Sequence, residues 1–315
     1  MSAYEPMDLR NVTTYPLAGR ESKVKVEEFA KLVEPKDGIR AFYDSLPNIL
    51  AARDLRDVVG GWIEAHRRGR PQVFAMGAHV IKCGLSPLVI DLMRRKLITA
   101  VVLNGAGAVH DLEIAIGGRT SEDVKKGLDA GTFGLAEETG RMYNLAAMNG
   151  ARAKKGLGRA LGELILDSVS PHAQMSVLAQ GTTLDVPVTV HVALGGDIVH
   201  MHPSVSGAAL GETSMTDFRI VCSVVAAMEG GGVWINAGSA VILPEVFLKA
   251  LAVARNLGYG HENLMTVNLS MAEDYRPMEN VVRRPGGRGY SLIGRHEILI
   301  PLLRLLVLAA MEKSS

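Results

Sequence analysis

Histidine side chains are concentrated in segments that follow apolar runs of this chain. Five of the nine histidines lie there: His79, His110, His191, His200 and His202. Near neutral pH an imidazole can accept or release a proton, or bind a divalent metal. His200 and His202 could offer two metal ligands from one extended segment, and His191 with Asp197 or Asp111 could complete a site. No HExxH motif and no Cys/His ligand set accompanies them. We therefore predict no metal site and assign His110 to proton transfer.

Glycine-rich stretches follow or flank strand-forming runs. They comprise residues 104–107 after the run 101–103, Gly195-Gly196 after the run 190–194, and the glycines on either side of the run 233–237. Glycine beyond a buried strand lets the backbone approach a phosphate, while the next helix offers its free N–H groups. Tight strand-to-helix turns would use the same glycines. The predicted cofactor-binding residues are Asn104, Gly105, Ala106, Gly107, Gly231, Gly232, Asn236 and Gly238.

Asparagine ends three of the apolar runs, at Asn104, Asn236 and Asn268. In a parallel sheet all such ends lie at one edge, where a cleft opens if the strand order reverses. Because an amide does not titrate, we expect these side chains to orient a cofactor and a substrate by hydrogen bonds. Turn formation or helix capping is the alternative.

Strands and helices alternate along the part of the chain that must position these residues. Apolar runs without alternation predict buried strands at 73–76, 100–103, 186–194, 232–236 and 264–269. Helical spacing of apolar residues predicts helices at 54–66, 217–228, 244–257 and 296–311, and a glycine-interrupted helical stretch at 120–167. This order predicts an α/β fold, a Rossmann-like parallel sheet with helices on both faces.

The domain organisation follows from where the alternation of strands and helices starts. Residues 1–45 are predicted to form an irregular N-terminal extension with one helix near residues 26–31, and residues 46–315 to form a single α/β domain.

Residues 271–280 are acidic, and residues 281–290 are basic and rich in glycine. We expect a long functional loop there, which would face a zwitterionic ligand or a neighbouring subunit.

Composition excludes several classes of protein. With 34 Lys and Arg against 33 Asp and Glu, the net charge is +1, which gives no reason to expect nucleic acid or an anionic membrane as a partner. Cys83 and Cys222 form no CxxC pair and are predicted to be reduced thiols. The segment Met1–Pro6 lacks the basic and apolar regions of a signal peptide. Together these features predict a cytoplasmic protein.

The order of the glycine segments, together with the stretches 209–217, 266–268 and 300–303, resembles the deoxyhypusine synthase family from about residue 70 onward. The resemblance implies a Rossmann-like fold, NAD as the cofactor at a subunit interface, and a homotetramer. It also implies a polyamine substrate that is captured by a lysine after oxidation. By position, Ala106 and Gly107 would face the cofactor, Asp217 would bind the amine, Asn268 would lie beside the nicotinamide, and Glu279 would contact the substrate.

The chain departs from the family where the chemistry is most specific. The family's catalytic lysine lies in a Trp-Gly-Lys segment, where residues 282–286 read Val-Arg-Arg-Pro-Gly. Arginine has a pKa above about 12 and offers no free nucleophilic amine. We therefore predict an NAD-dependent enzyme that acts on an amine or guanidine without making deoxyhypusine. A metal-dependent hydrolase built on the clustered histidines and a non-catalytic NAD-binding sensor are the alternatives.

Overall fold

The structure is a computed structural model that describes residues 4–312. One sheet of six strands organises the chain. The strands are β1 (Gln72–Met76), β2 (Ala100–Asn104), β3 (Val188–His191), β4 (Gly232–Ala237), β5 (Leu264–Ser270) and β6 (Arg288–Ile293). All neighbours pair in parallel, and their order across the sheet is β3-β2-β1-β4-β5-β6. This is the doubly wound Rossmann order. The strands are added outward from β1 to β3 on one side and then from β4 to β6 on the other, so the strand order reverses between β1 and β4.

Thirteen helices are described within residues 4–312. They are α1 (Gly38–Ser45), α2 (Leu50–Arg67), α3 (Ala78–Lys82), α4 (Ser86–Arg94), α5 (Gly105–Gly117), α6 (Val124–Ala130), α7 (Glu137–Arg152), α8 (Leu157–Asp167), α9 (Val177–Leu184), α10 (Gly207–Ala226), α11 (Ile242–Asn256), α12 (Tyr275–Pro277) and α13 (His296–Glu312). A π-helical segment, Met278–Arg283, joins α12 to the turn before β6.

Two apolar cores lie on opposite faces of the sheet. On one face, Phe74, Leu103 and Val267 belong to a cluster with residues of α2, α4, α5, α8, α9 and α13. On the other face, Val73 and Trp234 belong to a smaller cluster with residues of α10 and α11, where the Trp234 and Phe247 rings stack 4.4 Å apart. Helices on both faces explain why the strands are apolar without alternation, and the predicted fold class is confirmed.

Several elements differ from the sequence-based predictions. The segment 281–290, predicted as a loop, contains the end of the π-helical segment and the start of the edge strand β6. The exposed residues and the glycine of this strand give a weak strand signal. Helix α10 starts ten residues earlier than predicted because Ser206 caps it, with its side chain accepting from Ala209 N. Strand β3 is shorter than predicted, and residues 26–31 contain only a 3₁₀ turn, Val26–Glu28.

No helix within residues 4–312 combines the length and the apolarity that crossing a bilayer requires.

Candidate active site

The carboxyl edge of the sheet brings together the ends of β1 and β4, where the strand order reverses. Gly77 follows β1 and donates its N–H to Ala237 O at 2.9 Å. A Cβ on Gly77 would lie 2.3 Å from Gly238 O, and Gly238 has φ +67°. Only glycine fits this close approach. The crevice at this edge is where doubly wound sheets bind their ligands.

Two of the three predicted asparagines, Asn236 and Asn268, lie on one face of the sheet at this edge. Asn236, Asn268 and Ser291 are register partners on β4, β5 and β6, so their side chains point the same way. Asn236 Nδ2 donates to Asn268 Oδ1 and to Ser239 O, both at 3.0 Å. Its other amide atom, Oδ1, is buried without a hydrogen-bond partner. Asn236 Oδ1 is therefore an unused hydrogen-bond acceptor beside the crevice.

Asn104 occupies a different place, at the start of α5. Its Oδ1 accepts from Gly107 N at 2.9 Å, which caps the helix. The carboxylate of Asp197 lies against Gly105, since a Cβ built there would be 2.1 Å from Asp197 Oδ2. Burial raises the pKa of Asp197, and an N–H from Ala193 and the nearby His200 offset part of that rise. The positive end of the α5 dipole therefore already faces one carboxyl group.

A pocket of about 200 Å³ opens between α3, α5 and the segments 121–133 and 196–198. Its charged and titratable lining residues are Lys82, His110, Glu113, Glu122 and Asp197. Ala106 belongs to the same wall. Three carboxyl groups against one lysine make this a site suited to a cation.

Within this pocket, Glu113, Thr120 and His110 form a hydrogen-bonded chain. The Thr120 hydroxyl donates to Glu113 Oε2, so its oxygen accepts the bond that joins it to His110 Nδ1 at 2.5 Å. His110 Nδ1 therefore carries the proton, and Nε2 presents a lone pair in the neutral ring. Nε2 has no hydrogen-bond partner within the described residues. Such a ring is prepared to accept a proton.

Glu113 remains charged despite its partial burial. Desolvation alone would raise its pKa, but the hydrogen bonds and charge from His110, together with the Thr120 and Thr139 hydroxyls, outweigh it and hold the pKa below the usual range. Thr139 Oγ1 donates to Glu113 Oε1 at 3.2 Å. The carboxylate can therefore stabilise an imidazolium that forms on His110.

Asp217 lies outside this pocket. It is 1% exposed, and its Oδ2 accepts from Gly158 N at 2.9 Å and from Val190 N at 2.8 Å. Burial raises its pKa to about 7 against these bonds, which favour the charged form. The side chain thus ties the start of α8 to β3.

Glu279 also lies outside the pocket. It pairs with Arg283 at 2.6 Å, at the end of the π-helical segment, and with Arg284 at 3.7 Å, just after it. Two arginines already neutralise its charge.

Gly231 and Gly232 lie at the opposite edge of the sheet from the other predicted cofactor residues. Gly232 is the first residue of β4, whereas Gly238 follows its last. The two glycines line a separate pocket with Arg68, Arg70 and Arg288. The predicted cofactor-binding set is therefore divided between two edges, because a glycine before a strand and a glycine after it are separated by the strand's length.

The histidines proposed as metal ligands are each engaged separately. His191 is buried beside Thr189, His200 Nδ1 accepts from Gly195 N, and His202 lies 3.1 Å from Gly134 O. Within residues 4–312, the one group of three or more potential ligands that gathers closely is a different set: His79, Cys83 and Glu297.

Glu113 and Thr120 are functional candidates that sequence reasoning missed. Glu113 lies three residues after His110, a spacing that places both on one face of a helix, so this signal was readable. Thr120 follows the end of α5, and nothing in the sequence indicates that the chain turns back onto His110 there.

No family model matches this sequence, and a search of curated proteins found no match. Solved structures do share the fold. A candidate LOR/SDH protein from Methanococcus maripaludis S2 superposes with a TM-score of 0.51 at 14% identity, covering 87% of this chain and 71% of that one. AgrE, solved with ornithine and NAD+, gives 0.51 at 14% identity over 82% of this chain and 33% of its own.

A candidate deoxyhypusine synthase from Entamoeba histolytica gives a TM-score of 0.50 at 9% identity, over 88% of this chain and 94% of that one. At these identities the likeness shows the fold. The resemblance to deoxyhypusine synthase is thus confirmed at the level of the fold, across nearly the whole of that protein.

Proposed function

We propose that this protein is an NAD-dependent enzyme that oxidises an amine or guanidine substrate of polyamine type, without synthesising deoxyhypusine. The observation that carries this proposal is the acidic pocket beside the first turn of α5, at the carboxyl edge of a sheet with the Rossmann strand order. AgrE, which shares this fold, was solved with ornithine and NAD+, a pairing of the same kind.

The residues that follow β1, β2 and β4 at the carboxyl edge are suited to a dinucleotide. Asn104 caps α5, a helix of 13 residues that begins with Gly105, Ala106 and Gly107 and has no acid in its own first turn. Gly77 and Gly238 let the backbones at the ends of β1 and β4 approach closely. The unpartnered Oδ1 of Asn236 can accept from a ribose hydroxyl or a carboxamide. When bound, NAD+ supplies the hydride acceptor.

The acidic pocket supplies the substrate side. Asp197 and Glu122 would hold the cationic group, and His110 Nε2 would take the proton that the nitrogen loses as the neighbouring carbon is oxidised. Glu113 would stabilise the imidazolium through Thr120. Asp217 and Glu279 remain predictions for the amine-binding acid, although neither lines this pocket. Asn268, held between Asn236 and Ser291, remains a prediction for orienting the nicotinamide.

We also propose that the protein forms a homo-oligomer, as the family resemblance implies. Residues 4–37 expose many apolar side chains, including Tyr4, Met7, Leu9, Tyr15 and Phe29. Isolated apolar residues on a surface are common, but many exposed apolar side chains within one segment are what an interface would cover.

Reduction of NAD+ by a panel of di- and polyamines, amino acids and guanidines tests the enzyme against the non-catalytic sensor. His110→Gln should lower kcat by about 100-fold, the lower end of general-base contributions, without weakening NAD+ binding. His66→Gln, at a similarly half-buried histidine on α2, should change neither. Release of bound NAD on denaturation with no turnover of any amine would favour the sensor.

Asp197→Asn separates cofactor binding from substrate binding, because the negative charge of Asp197 should weaken binding of the anionic cofactor and strengthen binding of the cationic substrate. Loss of the negative charge beside the α5 N-terminus should tighten binding of the anionic dinucleotide about 2- to 5-fold, as 0.3–1 kcal/mol implies. It should raise KM for the amine at least about 10-fold, since a charge-assisted hydrogen bond contributes about 1.5–3 kcal/mol. Equal effects on both would contradict the proposed arrangement.

A further inference from the structure

A second cluster of donor side chains lies at the carboxyl edge, between α3 and the start of α13. His79 lies on α3, and Cys83, the residue that follows the helix, is four positions further on and donates its N–H to His79 O, so the two side chains lie on one side of the helix. His79 Nε2 lies 3.3 Å from Cys83 Sγ, and Cys83 Sγ lies 3.8 Å from Glu297 Oε2. All three potential ligand atoms lie within 4.8 Å of one another.

A second histidine next to this cluster, His296, has an unused nitrogen. His296 is 1% exposed, and its ring centroid lies 5.5 Å from that of His79. Its Nε2 lies 3.1 Å from Leu269 O, so Nε2 carries the hydrogen and Nδ1 presents a lone pair. Nδ1 is buried with no hydrogen-bond partner. Histidines that bind metals ordinarily donate their other N–H to a carbonyl in this way.

The distances of 3.3 Å from His79 Nε2 to Cys83 Sγ and 3.8 Å from Cys83 Sγ to Glu297 Oε2 are close to those around a tetrahedral zinc ion. With Zn–N and Zn–O of about 2.1 Å and Zn–S of about 2.3 Å, neighbouring ligand atoms lie about 3.6 Å apart, and two histidine rings on one ion have centroids about 5 Å apart. A nitrogen, sulfur and carboxylate set favours zinc or cobalt over calcium or magnesium, which require oxygen ligands.

We propose that His79, Cys83 and Glu297 bind a zinc ion, beside the ring of His296. The site uses none of the side chains assigned to the proposed amine chemistry. It lies where the strand order reverses, since α3 follows β1 and a Cβ on Gly238, after β4, would lie 2.8 Å from His296 Cε1. A metal there would join α3 to α13 across the crevice.

The test titrates the chelator-treated full-length protein with Co2+ and then with Zn2+. We expect one equivalent of Co2+ to bind with thiolate-to-cobalt charge-transfer absorption in the near ultraviolet, and Zn2+ to displace it. Cys83→Ser should abolish that absorption and weaken binding at least about 10-fold, the least that loss of a supporting group costs a metal site. Cys222→Ser, at the other half-buried cysteine, should leave both unchanged.

Glu297→Gln tests whether a loss of metal binding is caused by misfolding, because this exposed side chain can be changed with little effect on the fold. It should weaken Co2+ binding at least about 10-fold while the metal-free variant keeps the melting temperature of the parent. Absence of stoichiometric Co2+ binding by the parent, or a charge-transfer band that survives in Cys83→Ser, would overturn the proposal.

Discussion

Replacement of Asp217 by asparagine tests whether this aspartate is a buried structural acid or the amine-binding acid that the family resemblance implies. Its pKa of about 7 in the folded chain lies above the ordinary 3.8, with burial as the cause. Between these two values the folded state binds a proton that the unfolded state has released. Stability should therefore fall as the pH rises from about 4 to about 7 and then level off.

The size of the effect follows from the shift. A difference of about three pKa units between the folded and unfolded states is worth about 4 kcal/mol in total, of which about 3 kcal/mol falls between pH 5 and pH 8. Asparagine keeps the oxygen that accepts from Gly158 N and Val190 N but does not titrate. Relative to the parent, Asp217→Asn should therefore gain about 3 kcal/mol in unfolding free energy from pH 5 to pH 8.

Alanine at the same position provides the contrast. It removes the acceptor of two buried N–H groups, so Asp217→Ala should lose about 2–5 kcal/mol at both pH values. Urea unfolding of parent and variants at pH 5 and pH 8 measures these differences, and subtraction from the parent cancels every other titrating group. Asp185→Asn, at an exposed aspartate, should show no difference between the two pH values.

Two results would refute the reasoning on Asp217. If parent and Asp217→Asn had the same pH dependence of unfolding, the aspartate would titrate normally in the folded state. If Asp217→Asn abolished amine turnover with unchanged stability, the residue would belong to the substrate site.

Three further predictions concern the cofactor, the assembly and the reaction. Gly107→Val should abolish dinucleotide binding at a cost of about 1 kcal/mol in stability, because a side chain there meets the capping Oδ1 of Asn104 at 3.1 Å; calorimetry with NAD+ checks this, and binding at the parental affinity would exclude the loop. Light scattering should show a homo-oligomer, and a single species of 33.7 kDa at micromolar concentration would contradict it. Incubation with spermidine, NAD+ and the acceptor protein should give no modified lysine by mass spectrometry, since residues 282–286 hold no lysine; a butylamine adduct on the acceptor, or an imine trapped on Lys82 or Lys249, would contradict this prediction.

The sequence by itself determined the layered architecture. Buried parallel strands must be apolar on both faces, so β1, β2, β4 and β5 could be predicted from uninterrupted apolar runs, and α2, α11 and α13 from helical spacing. Glycine and asparagine after these strands placed a candidate site at the carboxyl edge. These signals are local, because they depend on residues within one element.

Only the tertiary structure decided which side chains meet. Asp197 approaches Gly105 from about 90 residues further along the chain, and Glu297 reaches Cys83 across 214 residues. Neither pairing has a spacing that one sequence could show. The structure also placed Asp217 under α8 and Gly231 at the far edge of the sheet, since a residue's environment depends on how elements pack. The residue types thus indicated which kinds of chemistry this chain could perform. The order of the strands in the sheet decided where the side chains for that chemistry meet.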